Sequence, residues 1–301
     1  MTEQKIKEKA AKLGYLGCGI IPVNSFEEYT RALDERVKAF PASKELYEPL
    51  YSFAKQPDNA KSIIVCTQRF NKYKPVESLK GLVGKCYQYD PRIPYSYEHR
   101  AQLEFEAYLK TLGITIIETP VPVRWAAVKA GLGKFGRNNF FYDKDHGSNV
   151  WIQSWVIDRE LAYDAVSDDI YLSDCNNGCN RCMASCPTKA LSDEFTMDMG
   201  KCITYLFSNA DAQGDDNLKK KMGKWIYGCD VCQDACPHNK DKYNESEEFP
   251  LLQEISEFMT PERILEMDEE TYRNVVNPRF WYVGDDGLAL WKQNAQRALK
   301  K

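Results

Sequence analysis

The chain has 301 residues, 43% of them hydrophobic and 28% charged, a globular composition long enough to bury a core without disulfide staples. Its net charge of −4 gives no global attraction to phosphate backbones, so a nucleic-acid contact has to rest on a local patch. No window reaches the roughly 18 apolar residues of a spanning helix, which argues against membrane contact.

The opening MTEQKIKEKAAKLGYLG has no apolar h-region, no twin-arginine pair and no small-residue cleavage site, so a cytoplasmic location is expected. Ile6, Ala10 and Leu13 recur at helical spacing, and the apolar run from Leu16 to Pro22 reads as a short buried strand. Ser25 is placed to cap a second helix whose Phe26, Tyr29, Leu33, Val37 and Phe40 form one core-facing stripe. Residues 61–70, KSIIVCTQRF, predict a central strand, with Cys66, like Cys18 and Cys86, a small buried hydrophobe. Residues 81–97 are irregular and aromatic, with Tyr87, Tyr89, Tyr95 and Tyr97 around Pro91 and Pro94; such a loop packs on something flat or belongs to an aromatic core. A helix over 98–112, with Ala101, Phe105, Tyr108 and Leu112 on one face, stops at Gly113. A strand over 114–117, a short helix over 125–130 and strands over 139–142 and 151–158 follow, and this alternation argues an α/β domain over 1–165. Residues 166–245 are loop-rich and organised by cysteine, with one helix over 219–225 whose lysine run reads as a solvated face. Residues 246–301 predict a helical extension ending in a helix over 288–299.

Eight of the eleven cysteines fall between residues 175 and 236. They read Cys175-x3-Cys179-x2-Cys182-x3-Cys186-Pro187, then Cys202 alone, then Cys229-x2-Cys232-x3-Cys236-Pro237. In a reducing compartment such clustering means metal ligands rather than disulfides. A short loop places three thiolates around one cubane, and in the bacterial two-cluster arrangement the cysteine before proline ligates the other cluster. Cys175, Cys179, Cys182 and Cys236 then hold one 4Fe-4S cluster, and Cys186, Cys202, Cys229 and Cys232 the second. Paired Cys-x2-Cys units also build zinc sites, but the Cys-Pro endings and the three-residue spacing favour iron-sulfur clusters and electron transfer.

Gly131-x-Gly133-x-x-Gly136 matches a dinucleotide fingerprint in reversed context, with helical text before it and strand-like text after it. These glycines are expected to let backbone approach backbone, or a bulky ligand, closely. His99, His146 and His238 form no ligating pair.

CNRCMASCPTKAL from Cys179, KCITYL from Lys201 and IYGCDVCQDACP from Ile226 resemble the ferredoxin part of the epoxyqueuosine reductase family, cobalamin-dependent relatives of the reductive dehalogenases. AGLGKFGRN from Ala130, Gly147-Ser148 and AKSII from Ala60 extend the resemblance upstream, and MDEETY from Met267 and NAQRAL from Asn294 extend it to the tail. The fold implied is α/β (α+β): a nitroreductase-like cobalamin- and substrate-binding domain over 1–165, a bacterial-type two-cluster ferredoxin domain over 166–245 and a small helical tail over 246–301. The resemblance implies base-off cobalamin held by Gly131, Gly133, Lys134, Gly136, Asn138, Gly147 and Ser148. It further implies a low-potential donor, ferredoxin or flavodoxin, feeding the clusters, which pass electrons to the corrinoid for reduction of an electrophile. That substrate is a queuosine-precursor tRNA or a small electrophile such as an organohalide.

Aligned on Pro120, Arg124 and Ala130, Ile117 stands where the family carries the acid of an Asp-x-x-Pro element, and Glu118 lies one residue on, facing inward only if a bulge turns it. The end at Lys301 leaves no room for the HEAT-like repeats that accompany tRNA recognition in many members. Tyr89 and Tyr95 match family tyrosine positions and are candidate proton donors, phenols with a pKa of about 10. Arg124 is a candidate to hold an anionic or carbonyl group of the substrate, or a corrinoid side chain. The alternative is an iron-sulfur electron-transfer or activator protein that docks a partner and binds no corrinoid.

Overall fold

A computed structural model describes every residue except Met1, Tyr95, Val166, Asp174, Asn176, Asn177, 208–214, 243–247 and Lys301. The chain divides into two units that alternate along the sequence: unit 1 is Met1–Arg69, Tyr97–Asn180 and Asp193–Asp198, and unit 2 is Phe70–Ser96, Arg181–Ser192 and Met199–Lys301. Among the described residues no helix is long and apolar enough to cross a membrane.

Unit 1 is built on a four-stranded sheet. Its strands are β1 (Gly17–Pro22), β2 (Ser62–Arg69), β3 (Ile116–Ile117) and β6 (Val150–Ile157), in the order β1-β2-β6-β3 with every pair antiparallel. Helices and strands do alternate along the chain, yet every strand pair in the sheet is antiparallel. The apolar run of β2 is buried at every position but its last, as a strand flanked on both edges requires. Side chains alternate across it, so Ile20, Ile64 and Cys66 face a layer formed by α1 (Thr2–Lys12) and α3 (Tyr97–Thr111), with Ile6, Ala10, Ala101, Phe105 and Leu109. Cys18 lies opposite Cys66 in register and packs against this core.

On the other face β1 carries Gly17 and Gly19, against which α4 (Val123–Lys129) and the turn after it are laid. A Cβ at Gly19 would stand 2.7 Å from that of Ala130, and one at Gly17 would stand 3.0 Å from Leu132, so these two glycines bring strand and turn together. The turn leads into β4 (Lys134–Phe135), which pairs with β5 (Phe141–Tyr142). The order is therefore helix, glycine turn, strand, opposite to that of a dinucleotide fold.

Three sequence expectations are corrected within unit 1. Ser25 does not cap α2 (Glu27–Ala39): its hydroxyl donates to the Pro22 carbonyl, and the helix begins without a side-chain cap. The buried face of α2 includes Arg36, whose guanidinium donates to Asn139 Oδ1 (3.0 Å) and the Phe195 carbonyl (3.2 Å), so an internal anchor replaces the apolar continuation at Val37. The buried stripe of α3 runs Glu98, Ala101, Phe105 and Leu109, with Leu112 just beyond the helix packed against the same core, but not through Tyr108, which is half-buried beneath the Lys9 ammonium, 5.7 Å from the ring centre.

Unit 2 holds the cysteines from Cys182 onward and the tail. Two short helices, α5 (Arg181–Ser185) and α8 (Val231–Asp234), pack together, and Ser185 Oγ donates to the Val231 carbonyl. Between them in sequence lie α6 (Ile203–Leu206) and α7 (Asp216–Lys221), the latter capped by Asp215 and shorter than the helix expected over 219–225 because Gly223 turns left-handed (φ +63°). The tail packs α9 (Pro261–Glu266) on α10 (Leu288–Leu299), with Tyr272, Phe280 and Trp291 at its centre.

Candidate metal centre and active site

Five of the cysteines, Cys182, Cys186, Cys202, Cys229 and Cys232, are brought together within unit 2. Cys202 precedes α6, and its sulfur accepts the backbone N–H groups of Thr204 and Tyr205; the Cys229 sulfur accepts that of Val231. Burial pushes the Cys229 thiol up to about 12, with the charges of Cys202 and Cys186 adding to the rise. Burial likewise raises Cys202 and carries Cys232 well up, and Cys202, Cys229, Cys186 and Cys182 are all close enough to act on Cys232. Crowded buried thiols resist ionisation on their own, whereas iron bound among them replaces the protons, and N–H donors to sulfur then stabilise the thiolates. The four residues that the spacing argument assigns to one cubane, Cys186, Cys202, Cys229 and Cys232, are among these, and so is Cys182.

The other four cysteines are divided: Cys175 and Cys179 belong to unit 1, Cys182 and Cys236 to unit 2. Cys175 is buried, Gly178 takes a left-handed turn (φ +78°), and the Cys179 carbonyl accepts from Arg137 Nη1 at 2.6 Å. Arg137 in turn pairs with Glu194. Among the described residues no three His, Cys, Asp or Glu side chains converge on a point suited to a single metal ion.

The loop before the aromatic stretch is packed onto the second cysteine motif, which sequence reasoning missed. Both carboxylate oxygens of Asp230 accept the Lys85 N–H, and Lys85 Nζ pairs with Asp234. A Cβ at Gly84 would stand 3.0 Å from Cys229 N, and one at Gly228 (φ +69°) would stand 2.4 Å from the Tyr87 ring, so two glycines allow the contact. Burial raises Asp230 to about 7, against the pull of Lys85. Around this contact Tyr87, Tyr227 and Tyr282 meet edge to face or tilted, with centroids 5.0 to 6.0 Å apart, and Arg92 lies over Tyr282.

Of the candidate catalytic residues, Tyr95 lies outside the described residues. Tyr89 is 2% exposed, with its ring among Phe70, Tyr73 and Phe249 in unit 2. Glu118 and Arg124 belong to unit 1. Glu118 is exposed just beyond β3, whose Ile117 pairs with Val156. Arg124 is exposed, donates from Nη1 to the Asn139 carbonyl at 2.7 Å and lies over the Phe140 ring.

The candidate cofactor residues all lie in unit 1. Gly131 (φ +71°) has no atom within 4 Å of its Cβ position. At Gly133 that position is already taken by Tyr142 O (2.3 Å) and Phe141 (2.4 Å), and at Gly136 by the Tyr142 ring (2.6 Å). Asn138 is buried and donates to the Tyr142 hydroxyl at 2.8 Å, and Lys134 pairs with Asp169. Gly147 (φ +62°) closes a tight turn on Asp143, and Ser148 beside it is buried.

Residues 174–239 match the family described as the 4Fe-4S double cluster binding domain. An epoxyqueuosine reductase of Cyclobacterium marinum is 31% identical over 286 residues, spanning 90% of this chain and 89% of that protein. The chain belongs to the epoxyqueuosine reductase family. It is an iron-sulfur oxidoreductase with two 4Fe-4S clusters. Among solved structures, epoxyqueuosine reductase from Streptococcus thermophilus shares the fold, with a TM-score of 0.72 at 21% identity over 98% of this chain and 80% of that one. An epoxyqueuosine reductase in complex with an epoxyqueuosine-modified tRNA stem loop gives a TM-score of 0.71 at 20% identity, covering 99% of this chain and 80% of that one.

Proposed function

We propose that the chain reduces epoxyqueuosine carried on tRNA, with electrons that enter through the two clusters and reach a cobalamin held by unit 1. The observation that carries this reading is the set Cys186, Cys202, Cys229 and Cys232, drawn together in a chain 31% identical over 90% of its length to an epoxyqueuosine reductase. The other cluster falls to Cys175, Cys179, Cys182 and Cys236 by ligand spacing.

A corrinoid is broad and flat, so it needs backbone it can approach closely. Gly131 offers this on its open side, while Gly133, Gly136 and Asn138 pin the turn from below. Gly131, Lys134, Gly147 and Ser148 would hold the group. Cobalamin bound there would supply a strongly reducing centre.

Removing an epoxide oxygen as water consumes two electrons and two protons, so the chain has to supply protons at that oxygen. Glu118, exposed beyond β3, is the proton donor in this reading. Tyr89 is enclosed in the aromatic core of unit 2, where its part is packing. Arg124 spends one N–H on the Asn139 carbonyl and keeps the rest of its fork for an anionic group.

The test has three arms. Anaerobic protein should hold eight irons, as two 4Fe-4S clusters require, and its spectrum should change on reconstitution with cobalamin. An intact iron-sulfur band with no cobalamin response would reduce the protein to an electron carrier. Persistence of epoxyqueuosine in tRNA from a deletion strain complemented with this chain would refute the substrate. Glu118→Gln should slow turnover by roughly 100-fold or more while cluster reduction proceeds unchanged; Tyr89→Phe should leave turnover within a few-fold.

A further inference from the structure

The second cluster of this reading needs a place where electrons arrive, and unit 2 has a surface suited to one kind of donor. Met222, which ends α7, is buried against Ile203, Leu206 and Phe207 of and beside α6, and the half-buried Leu218 of α7, Trp225 and Cys229 pack on the same cluster. With that face turned inward, Lys220, Lys221 and Lys224 point out: all three are exposed, and among the described residues none forms an ion pair. The carboxylates of the same helix are already engaged. Asp215 accepts the Asn217 and Leu218 N–H groups as the helix cap, and Asp216 stands 3.5 Å from Lys219.

The turn that carries Lys224 is fixed rather than loose. Arg297 of α10 donates to the carbonyls of Gly223 and Trp225 and lays its guanidinium 5.8 Å from the centre of the Phe207 ring. Phe207 directly follows α6, the helix that Cys202 precedes. Met222, Trp225, Arg297, Phe207 and Cys229 therefore belong to one packed block, from which three exposed lysines project in a chain whose net charge is −4.

We propose that this face, Lys220, Lys221 and Lys224 around Trp225, is the docking site of an acidic low-potential carrier, a flavodoxin or ferredoxin, which hands one electron at a time to the cluster of Cys186, Cys202, Cys229 and Cys232. The proposal rests on the reading of that cysteine set as a cluster but not on cobalamin. An acidic carrier is favoured over the tRNA backbone because the lysines belong to the segment from Leu218 to Trp225, which packs on the same apolar cluster as Cys229, a ligand of the cluster the carrier would reduce. Charge pairing of this type raises the encounter rate and makes it fall with salt.

The experiment is anaerobic stopped-flow reduction of the clusters, followed by bleaching of their absorption, with flavodoxin hydroquinone as donor and with a small-molecule reductant. Wild-type protein should react with flavodoxin at a rate that falls steeply with salt. The triple variant Lys220→Glu, Lys221→Glu, Lys224→Glu should react with flavodoxin roughly tenfold or more slowly, with a flat or inverted salt dependence, and normally with the small reductant. The milder Lys→Gln triple variant should lie between, which guards against misfolding of the charge-reversed one. Equal flavodoxin rates in wild type and both variants overturn the proposal. So does an equal slowing with the small reductant in both variants, because the defect then lies in the cluster. Weakened binding of the tRNA stem loop with flavodoxin rates unchanged would reassign the face to phosphate contact. Cobalamin failing to bind leaves these outcomes intact and refutes only the earlier reading.

Discussion

Replacing Gly133 by alanine separates two meanings of the glycine-rich turn. A Cβ there would lie 2.3 Å from Tyr142 O and 2.4 Å from Phe141 Cζ, against the roughly 3.5 Å at which carbon and its neighbours sit comfortably. Neither neighbour can yield easily. Tyr142 is held by the β4–β5 pairing and by Asn138, and both residues are buried. Relieving an overlap of about 1 Å against backbone and an enclosed ring lies at the upper end of overpacking costs, about 3 kcal/mol. For a unit of this size that lowers Tm by about 6 to 12 °C. Gly131→Ala is the control: its Cβ meets nothing within 4 Å, so only the left-handed backbone is penalised, by about 1–2 kcal/mol. Thermal unfolding followed by circular dichroism on anaerobic protein would measure both. A Gly133→Ala change within about 0.5 kcal/mol of wild type, or a larger effect at Gly131, would refute the close-packing account of the turn.

Other expectations follow from the same contacts. Cys202→Ala should lower iron from eight toward four per chain while Cys66→Ala leaves it unchanged, and eight irons retained in Cys202→Ala would show the ligand partition to be wrong. Arg297→Met leaves the Gly223 and Trp225 carbonyls without their charged donor and should cost about 1–3 kcal/mol in urea unfolding; a neutral outcome would refute its anchoring role. Hydrogen bonds from the Thr115 hydroxyl and then from its N–H hold the pKa of the Asp158 carboxylate below the ordinary value. Its stabilising effect is therefore present above about pH 4 and lost as pH falls through the depressed value. Asp158→Asn should be less stable than wild type at neutral pH, by under about 1 kcal/mol at so exposed a site, with the gap closing in acid. A gap that stays constant down to strong acid would count against this.

The cysteine motifs were legible because ligand spacing is a local property: the Cys-Pro endings and the x2-x3 rhythm lie within a dozen residues. The central position of β2 was legible for a similar reason, since an unbroken apolar run must be covered on both faces. Features set by distant neighbours were not. Arg36 falls on a helix face that periodicity alone leaves undecided, and its partners Asn139 and Phe195 lie more than 100 residues away. The doublet Gly17 and Gly19 in a strand did carry a signal of close approach, but nothing in sequence says that Ala130 and Leu132 fill the space. Arg124 reads as a free cation until the Asn139 carbonyl is found beneath it.

The contact between Gly84–Lys85 and Cys229–Asp230 bears on how this enzyme can be taken apart. A fragment beginning at residue 166 would keep every cysteine of both motifs and still leave the Asp230 carboxylate without its backbone donor and the Cys229 loop with a bare flank. The electron-carrying half is thus not a portable cassette. Swapping it between relatives means exchanging two separate stretches of gene together, and chimaeras joined at a single point should lose the iron of one cluster before they lose the fold.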